Sequence, residues 1–438
     1  MNKKIYFSFL TFLVFSFFSI NIFANEKNNN ITYSLYDLCK IAYENAEKIK
    51  IAENNLVIAK QEKKKAISAF IPTITASGFT LKYNESDEYN PNISAYTINL
   101  NQSFTLNGKE IIAFKISKDK IKQYEFILQA VKDAYFLEVA KAYYQIFSKK
   151  KYVEISRADV ERLKKHKNAV KERLKVGQVT KTALYRAEAE LSGARTELLK
   201  SLNNLQLARS SLKNLVNISD TFTLSTKETK NFKDFVYSFE ELKKQALEKR
   251  PEIQSAKKVF EISQRNIKLE KSDFWPTLSI QGTYSDKKTK YGENHENINY
   301  IEDTSIQANL SFTIFDGGLR SASLAQAIAS KNKADLELNL QRKKIILETE
   351  KVWLNFQTSL STLSTLKDEL KFAQENYNAV KMQFEFGMAD SIDIMDANTL
   401  LVKAQRKISD ADYNHTFSIL EIMRARGDIV SMLMMEII

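Results

Sequence analysis

The stretch LSFTIFDGGLR, Leu310 to Arg320, marks the change from one secondary structure to another. Up to Ile314 its apolar residues alternate with small polar ones, which is the period-two pattern of a β-strand with one apolar face. Asp316-Gly317-Gly318 then interrupts the alternation, and no glycine or proline follows until Gly387. The stretch therefore predicts a strand that turns abruptly into a very long helix.

The composition favours long elements throughout. The 438 residues include only ten glycines and four prolines, so few positions break a helix. The net charge of +12 comes from lysines spread along helical stretches beside glutamates, which is typical of a solvated surface, so no nucleic-acid partner is expected. The single cysteine, Cys39, excludes an internal disulfide and a thiolate metal cluster.

The first 24 residues are predicted to be a secretory signal peptide. Lys3 and Lys4 precede a nearly continuous apolar run from Ile5 to Phe23, and Ala24 is a suitable cleavage position. A retained membrane anchor is the alternative interpretation. No second apolar run approaches the roughly 20 residues that a membrane-spanning helix requires, so the mature chain is expected to be exported.

The sequence contains an internal duplication. YSLYDLCKIAYENAEKIKIA, from Tyr33, aligns without a gap with YSFEELKKQALEKRPEIQSA, from Tyr237. Further along, AFIPTITASG matches DFWPTLSIQG, NQSFTLNGK matches NLSFTIFDGG, and VGQVTKTALYRAEAEL matches FGMADSIDIMDANTLL, so that Gly177 meets Gly387. We therefore predict two structural repeats, residues 25–230 and 231–438.

Each repeat is predicted to contain a helix, two strands, a very long helix and a shorter helix. In the first repeat the strands cover 72–83 and 94–106, the long helix 109–176 and the last helix 180–217. In the second, the first helix covers 237–273, the strands 276–286 and 303–315, the long helix 318–386 and the last helix 391–427. Polar hairpin loops are expected at about 84–92 and 286–303, and a β-bulge near Gly78, where the first strand loses its alternation.

The four strands have one apolar face and one face of Ser, Thr, Asn and Gln, as the strands of a transmembrane β-barrel do. A soluble sheet with an apolar core face is the alternative. Four strands cannot close a barrel, and open strand edges are not tolerated in lipid, so copies of the chain would have to pool their strands. Two copies fill the barrel interior with side chains, whereas three leave a passage, so a pore requires at least a trimer. Apolar spacing in the long helix from Trp353 to Phe384 predicts coiled-coil-like packing.

Four segments, in this order and duplicated, resemble the TolC family of outer membrane efflux proteins, or outer membrane factors. They are ALEKRPEIQSAKK at Ala246–Lys258, FWPTLSIQGTYS at Phe274–Ser285, FDGG at Phe315–Gly318 and FGMADSIDIMDANTLL at Phe386–Leu401. The resemblance covers essentially the whole mature chain. It implies a mainly α-helical trimer with a membrane β-barrel, in which four β-strands per chain form a shared 12-stranded barrel. A long α-helical barrel would continue from it through the periplasm.

The same resemblance implies an outer membrane channel that is the exit duct of a tripartite efflux pump or a type I secretion system. Substrates would cross it passively. An inner-membrane RND, ABC or MFS transporter would supply the energy, and a periplasmic adaptor (membrane fusion) protein would join the two. The implied location is the cell outer membrane, with outer membrane lipid around the barrel and the helices extending into the periplasm. A periplasmic coiled-coil interaction protein without a pore is one alternative, and an autonomous porin is another, which the four strands and long helices disfavour.

No catalytic constellation is present in the sequence. His166, His295 and His415 lie far apart, without cysteines or paired carboxylates at ligand spacing, and are expected to be surface histidines. No phosphate-binding glycine loop is present either. We therefore expect neither an enzyme nor a bound metal or other cofactor.

A gate is predicted at the start of the last helix. Asp393 and Asp396 are three residues apart, which places them on one helix face. The resemblance implies that three copies of this pair ring the periplasmic entrance and bind cations. The alternative is that Asp390 and Asp393 form a capping pair at a helix N-terminus.

Three positions depart from the family pattern at this entrance. Ala389 stands where the family has a gate-locking arginine, Ala183 where the first-half turn has an aspartate, and Phe384 where it has a tyrosine. We therefore expect the closed entrance to depend less on salt bridges and more on apolar packing by Phe384.

Two helix-turn-helix tips are predicted to contact the adaptor, as the resemblance implies, although glycine and hydroxyl caps explain the same residues locally. The predicted tip residues are Val176, Gly177, Thr180, Leu184, Phe386, Gly387, Ser391 and Ile394. The strand-to-helix turns are assigned to Gly108, Gly317 and Gly318.

Overall fold

The structure is a computed structural model that describes residues 31–218, 222–225, 238–291 and 297–434. The proposed signal peptide and His295 lie outside the described residues. Among the helices that are described, none has an apolar stretch long enough to cross a membrane.

The helices of the two repeats correspond in length. In the first repeat they are α1 (Leu35–Asn45), α2 (Glu47–Ser68), α3 (Lys109–Lys175) and α4 (Lys181–Val216). In the second they are α5 (Phe239–Lys249), α6 (Pro251–Ser272), α7 (Leu319–Glu385) and α8 (Ser391–Arg426), followed by the short α9 (Ile429–Met434). Each of α3 and α7 has 67 residues, so each helix is about 100 Å long.

The single helix predicted over 237–273 is wrong, because two helices occupy the described part of this range. Arg250 has an extended backbone (φ −60°, ψ 127°) between α5 and α6. The ring of Pro251 disfavours a helical conformation at the preceding residue, while proline itself suits the first turn of a new helix. The first repeat breaks at the matching Ala46 (φ −65°, ψ 121°) without a proline.

Four strands form one antiparallel sheet in the order β2 (Thr73–Leu81), β3 (Asn92–Thr105), β5 (Thr277–Tyr291) and β6 (Asn297–Ser311). All the helical connections leave from the same end of this sheet. A second, two-stranded parallel sheet pairs β1 (Ile31–Tyr33) with β4 (Phe222–Leu224).

The strand bounds in the second hairpin differ from the prediction. β5 and β6 continue their pairing into the range 286–303 that was predicted to be a loop, up to Tyr291 opposite Asn297. In this extension Lys288 pairs with Tyr300, and its ammonium lies over the Tyr300 ring. The residues of this extension are mostly polar, so their sequence shows no apolar alternation that would predict a strand. At the other end β6 stops at Ser311 instead of 315, because its neighbour begins after Pro276, which has no N–H for a further ladder bond.

The bulge predicted near Gly78 is absent from the β2–β3 ladder. The pairing runs without interruption from Thr73 opposite Asn101 to Leu81 opposite Ile93. Gly78 lies opposite Tyr96, and a Cβ added to Gly78 would be 3.2 Å from the tyrosine ring. The glycine therefore makes room for the Tyr96 ring, and the residues after it keep their original face.

The largest apolar core lies where both repeats meet, midway along the long helices. It combines side chains from α1, α3, α4, α5 and α8 that are fully buried, among them Leu38, Phe136, Leu212, Leu242 and Leu420. This core holds the two long hairpins α3–α4 and α7–α8 together, with the sheet at one end and the hairpin tips at the other.

Candidate channel entrance and membrane sheet

The four-stranded sheet exposes one apolar face. The register aligns Leu100, Gly282 and Ile306 across three strands, and Ile98 with Tyr284 beside them. Ile306 is 83% exposed in the single chain. The opposite face is polar, and Thr283 donates there to the Asn99 side chain at 3.0 Å. This segregation is the pattern of a strand between lipid and an aqueous lumen.

Aromatic residues flank the apolar face at both ends. Trp275 and Phe315 are exposed at the helical end, and Tyr96 and Tyr300 at the far end. Ten residues of a strand tilted by about 40° rise about 25 Å, which is the height of the apolar band in outer membrane barrels. The aromatic residues therefore lie where the interfaces of a membrane would be.

Asp316 organises the turn from β6 into α7. Its carboxylate accepts hydrogen bonds from the Gly318 N–H (3.0 Å), the Arg320 N–H (3.1 Å) and the Arg320 Nε (2.7 Å). Gly317 and Gly318 both have positive φ, 70° and 93°, as the sharp turn requires. The sequence pattern points to the two glycines but not to the hydrogen bonds between Asp316 and Arg320, although an aspartate before a helix is a capping signal.

The two strand-to-helix turns contact one residue, Asp273, at the end of α6. Arg320 donates to the Asp273 carbonyl oxygen at 3.3 Å, and Lys109 forms an ion pair with the Asp273 carboxylate. Gly108, with φ 75°, provides the left-handed position before α3. Asp273 therefore connects the two strand-to-helix turns on the helical side of the sheet.

The tips of α3–α4 and α7–α8 pack side by side at the opposite end of the chain. Phe384 is 3% exposed and packs with Val170, Ala187 and Ile394. The Arg173 guanidinium lies 4.2 Å from the Phe384 ring centroid and donates to the carbonyl oxygens of Phe384 (2.5 Å) and Glu385 (3.0 Å). A cation from α3 thus caps the C-terminus of α7, which the helix dipole favours.

His166 lies inside this tip, so its prediction as a surface histidine is wrong. The ring is 7% exposed, its Nε2 is 2.9 Å from the Ser391 hydroxyl, and its centroid is 5.0 Å from that of Phe384. Burial, together with the positive charge of Arg173, lowers the pKa of His166 to about 4. The ring is therefore neutral near pH 7. His415 is half-buried and lies 3.0 Å from the Ser359 hydroxyl, so it is not a freely exposed histidine either.

Asp393 has the capping role that the sequence left open as an alternative. The Asp390 side chain accepts from the N–H groups of Ile392 (2.6 Å) and Asp393 (3.0 Å), and the Asp393 side chain accepts from the Asp390 N–H (2.9 Å). Asp393 and Asp396 are both exposed on the single chain. A cap does not use all the acceptor positions of a carboxylate, so a gate role for the pair stays a prediction.

The predicted tip residues divide into exposed and buried groups. Val176 and Phe386 are 69% and 78% exposed beside the left-handed Gly177 and Gly387, and the Thr180 hydroxyl caps α4. Leu184 is half-buried. Ser391 and Ile394 are each 6% exposed. Those two side chains therefore support the tip from inside, and adaptor docking stays a prediction for the exposed residues.

Most of the chain matches a known family. The family model described as Outer membrane efflux protein matches residues 38–217 and 242–428, which fall in the two repeats. The chain belongs to this family. Within the described residues, no group of three His, Cys, Asp or Glu side chains is placed to hold a metal ion.

Individual relatives are distant but cover most of the chain. It is 22% identical over 379 residues to the outer membrane protein TolC of Vibrio cholerae, covering 84% of this chain and 85% of the relative. It is 22% identical over 390 residues to the outer membrane efflux protein BepC of Brucella suis, covering 86% and 80%. The CmeC outer membrane channel of Campylobacter jejuni has a similar fold, with a TM-score of 0.79 at 18% identity over 90% of this chain and 86% of that one. The family resemblance and the TolC-like fold are confirmed, and the protein is an outer membrane efflux channel by family.

Proposed function

We propose that three copies of this chain form the exit duct of a tripartite efflux pump or type I secretion system. The observation that carries the proposal is the four-stranded sheet, whose edge strands β2 and β6 have no partner strand within the described residues. Lipid does not tolerate open edges around an apolar face, so β6 of one copy pairs with β2 of the next. Three copies close a twelve-stranded barrel that is wide enough for a passage.

The long helices provide a surface for the same association. Leu336, Leu340, Leu347 and Leu354 of α7 are each at least half exposed in the single chain, and their spacing of four and seven residues forms one stripe. Such a stripe is covered when helices of neighbouring copies pack together. In the duct, this packing closes a helical barrel that continues from the membrane into the periplasm.

Two features support a transport role: the polar face of the sheet that would line the lumen, and a sequence without a catalytic constellation or a phosphate-binding loop. The lumen face consists mainly of Ser, Thr, Asn and Gln, and the sequence has no phosphate-binding loop. Substrates cross passively, and an inner-membrane transporter that docks through a periplasmic adaptor on the exposed tips drives the process. Three copies of Asp393 and Asp396 surround the entrance and attract cations.

The test is recovery of the exported protein from cell fractions. The duct predicts that it is extracted by detergent from the outer membrane as a trimer that dissociates on heating. The alternative, a periplasmic coiled-coil protein without a pore, predicts a species released with the periplasm. Recovery as a soluble monomer would contradict the duct. The structure disfavours the alternative, because a periplasmic protein without a pore would leave the apolar face of the sheet exposed to water.

A further inference from the structure

The loop between β2 and β3, residues 82–91, lies at the end of the sheet that is far from the helices. Ser86 of this loop is 8% exposed, and its hydroxyl donates to the carbonyl oxygen of Lys290 at 3.4 Å. Lys290 belongs to β5, and β3 lies between β2 and β5 in the sheet. Lys290 lies opposite Asn92, the first residue of β3, so the loop bends past the end of β3 to contact β5.

The side chains that are buried at this end of the sheet lie on one face. Ala95 of β3 and Thr289 of β5 are only 5% and 4% exposed, whereas the adjacent Tyr96 is 69% exposed. Because successive side chains of a strand point to opposite faces, Ala95 shares the face of Asn99, and Thr289 that of Thr283. This is the polar face, which lines the lumen in the proposed duct.

The continuous β2–β3 ladder adds apolar side chains to the same place. Without a bulge at Gly78, Phe79 lies opposite Ala95 and Leu81 opposite Ile93 on the lumen face. Phe79 is 58% exposed and Leu81 is 40% exposed. Nearer the helices, β2 has only Thr73, Thr75 and Ser77 on this face. Phe79 and Leu81 thus place apolar side chains on the lumen face of β2 near the loop, in a part of the sheet where Lys287 of β5 lies in the same row as Phe79.

We infer that Phe79 and Leu81 of each copy, together with the polar loop 82–91, form a constriction at the outer mouth of the channel. This inference rests on the proposed function, because three copies must face one lumen. Apolar rings hinder water and polar solutes by narrowing and dewetting a pore. The constriction limits the entry of hydrophilic solutes from the medium, and it is distinct from the entrance at the helical tips.

The experiment measures access to the lumen from outside the cell. Gln281 is exposed on the lumen face of β5, closer to the helices than Phe79, and a Gln281→Cys chain is labelled in intact cells with a sulfonated, membrane-impermeant maleimide. The native Cys39 is buried, so a chain without Gln281→Cys gives the background. Adding Phe79→Ser and Leu81→Ser is expected to raise the labelling rate on the order of tenfold. Replacing residues 84–90 by Asn-Gly, a two-residue hairpin turn, is expected to raise it as well.

Tyr96→Ser is the matched control, because it removes an aromatic ring at the same level from the lipid face and should leave the rate unchanged. Labelling is expressed per heat-dissociable trimer in the outer membrane. Equal rates in the Gln281→Cys parent, the double variant and the loop variant would overturn the constriction while leaving the duct intact. If Gln281→Cys is labelled only after detergent extraction in every variant, the lumen assignment fails, and the proposed function fails with it.

Discussion

At the scale of single residues, the hairpin tips depend on side chains whose partners are distant in sequence. Arg173 and His166 of α3 contact Phe384 of α7 and Ser391 of α8, respectively. The expectation that Phe384 packs in an apolar tip agrees with its burial, but polar groups hold it in place. Arg173 satisfies carbonyl oxygens at the end of α7 that the helix leaves without partners.

Arg173→Ala should loosen the contact between the two tips. Loss of two hydrogen bonds from a charged donor, in a half-buried position, is expected to cost about 1.5 kcal/mol, which is on the order of tenfold in a local opening equilibrium. Purified channels in planar bilayers should therefore spend more time in open conductance levels. The control is Lys175→Ala, two residues after Arg173 on the same helix. It removes an exposed ion pair with Glu172 and should leave the conductance unchanged.

Acidification should weaken the tip through His166. Its folded-state pKa of about 4 lies below the ordinary value of 6.5, so the unfolded state takes up the proton first. The stability of the tip is therefore constant above about pH 6.5 and falls between pH 6.5 and 4, by at most about 3 kcal/mol. Hydrogen exchange of the first amides of α8 should accelerate over this range and should lose this dependence in His166→Gln. A pH-independent exchange in the unmodified chain would contradict this assignment.

The acidic pair should control cation block at the entrance. Asp396 is exposed and makes no capping contact among the described residues, so Asp396→Ala tests charge without changing the α8 cap. Block by multivalent cations in planar bilayers should weaken with Asp396→Ala and further with Asp393→Ala added. Asp393→Ala also removes a cap worth about 1 kcal/mol, so its effect on stability is measured separately. Asp412→Ala, far along the same helix, should not change the block.

At the scale of elements, a buried ionic cluster holds the break between α5 and α6. Arg250 is 2% exposed, and its Nη2 donates to Glu252 at 2.7 Å. Its Nη1 lies 3.1 Å from Glu348 of α7, although off the direction of a hydrogen bond. Arg424 of α8 lies 3.3 Å from Glu348 as well. The break that Pro251 favours therefore positions the Arg250 guanidinium between carboxylates of α6 and α7, and Arg424 of α8 shares the carboxylate of Glu348.

Arg250→Ala should strongly destabilise this region. It leaves the carboxylates of Glu252 and Glu348 in a half-buried site where, among the described residues, Arg424 is their remaining cationic partner. Breaking a buried pair in this way costs about 3–5 kcal/mol. Thermal unfolding of the detergent-extracted protein should occur at a markedly lower temperature. Lys243→Ala, which breaks the exposed pair with Glu240, should have almost no effect. Equal unfolding temperatures for the two variants would show that the cluster contributes little.

At the scale of the whole molecule, the described chain is incomplete as a channel. The sheet has two open edges, and α7 exposes a stripe of leucines that no part of the described chain covers. In the proposed duct, both features are satisfied by the same assembly of copies, in which neighbours pair strands and pack helices. The two repeats of each chain then contribute equivalent hairpins around one axis.

Leu340→Glu should prevent assembly, because a charge within the leucine stripe remains unpaired when neighbouring helices pack. The trimer band in unheated samples should disappear, and the monomer should remain folded because Leu340 is 67% exposed in the single chain. Asn339→Glu is the control, because it adds the same charge at an exposed position about 100° around the helix from Leu340, and it should assemble normally. A normal trimer with Leu340→Glu would exclude this stripe as the interface.

The sequence by itself determined the duplication, the long helices and the two-faced strands. These properties are local: breakers at Gly108 and Gly318 and the period of apolar residues decide them, and α3 and α7 begin at the residues after these glycines. Only the tertiary structure decided the extent of β5 and β6, the missing bulge at Gly78, and the burial of His166 and Ser391. Strand pairing, the fit of the Tyr96 ring over Gly78 and the contact between α3 and α8 join residues distant in the chain, and such contacts have no periodic signal in the sequence.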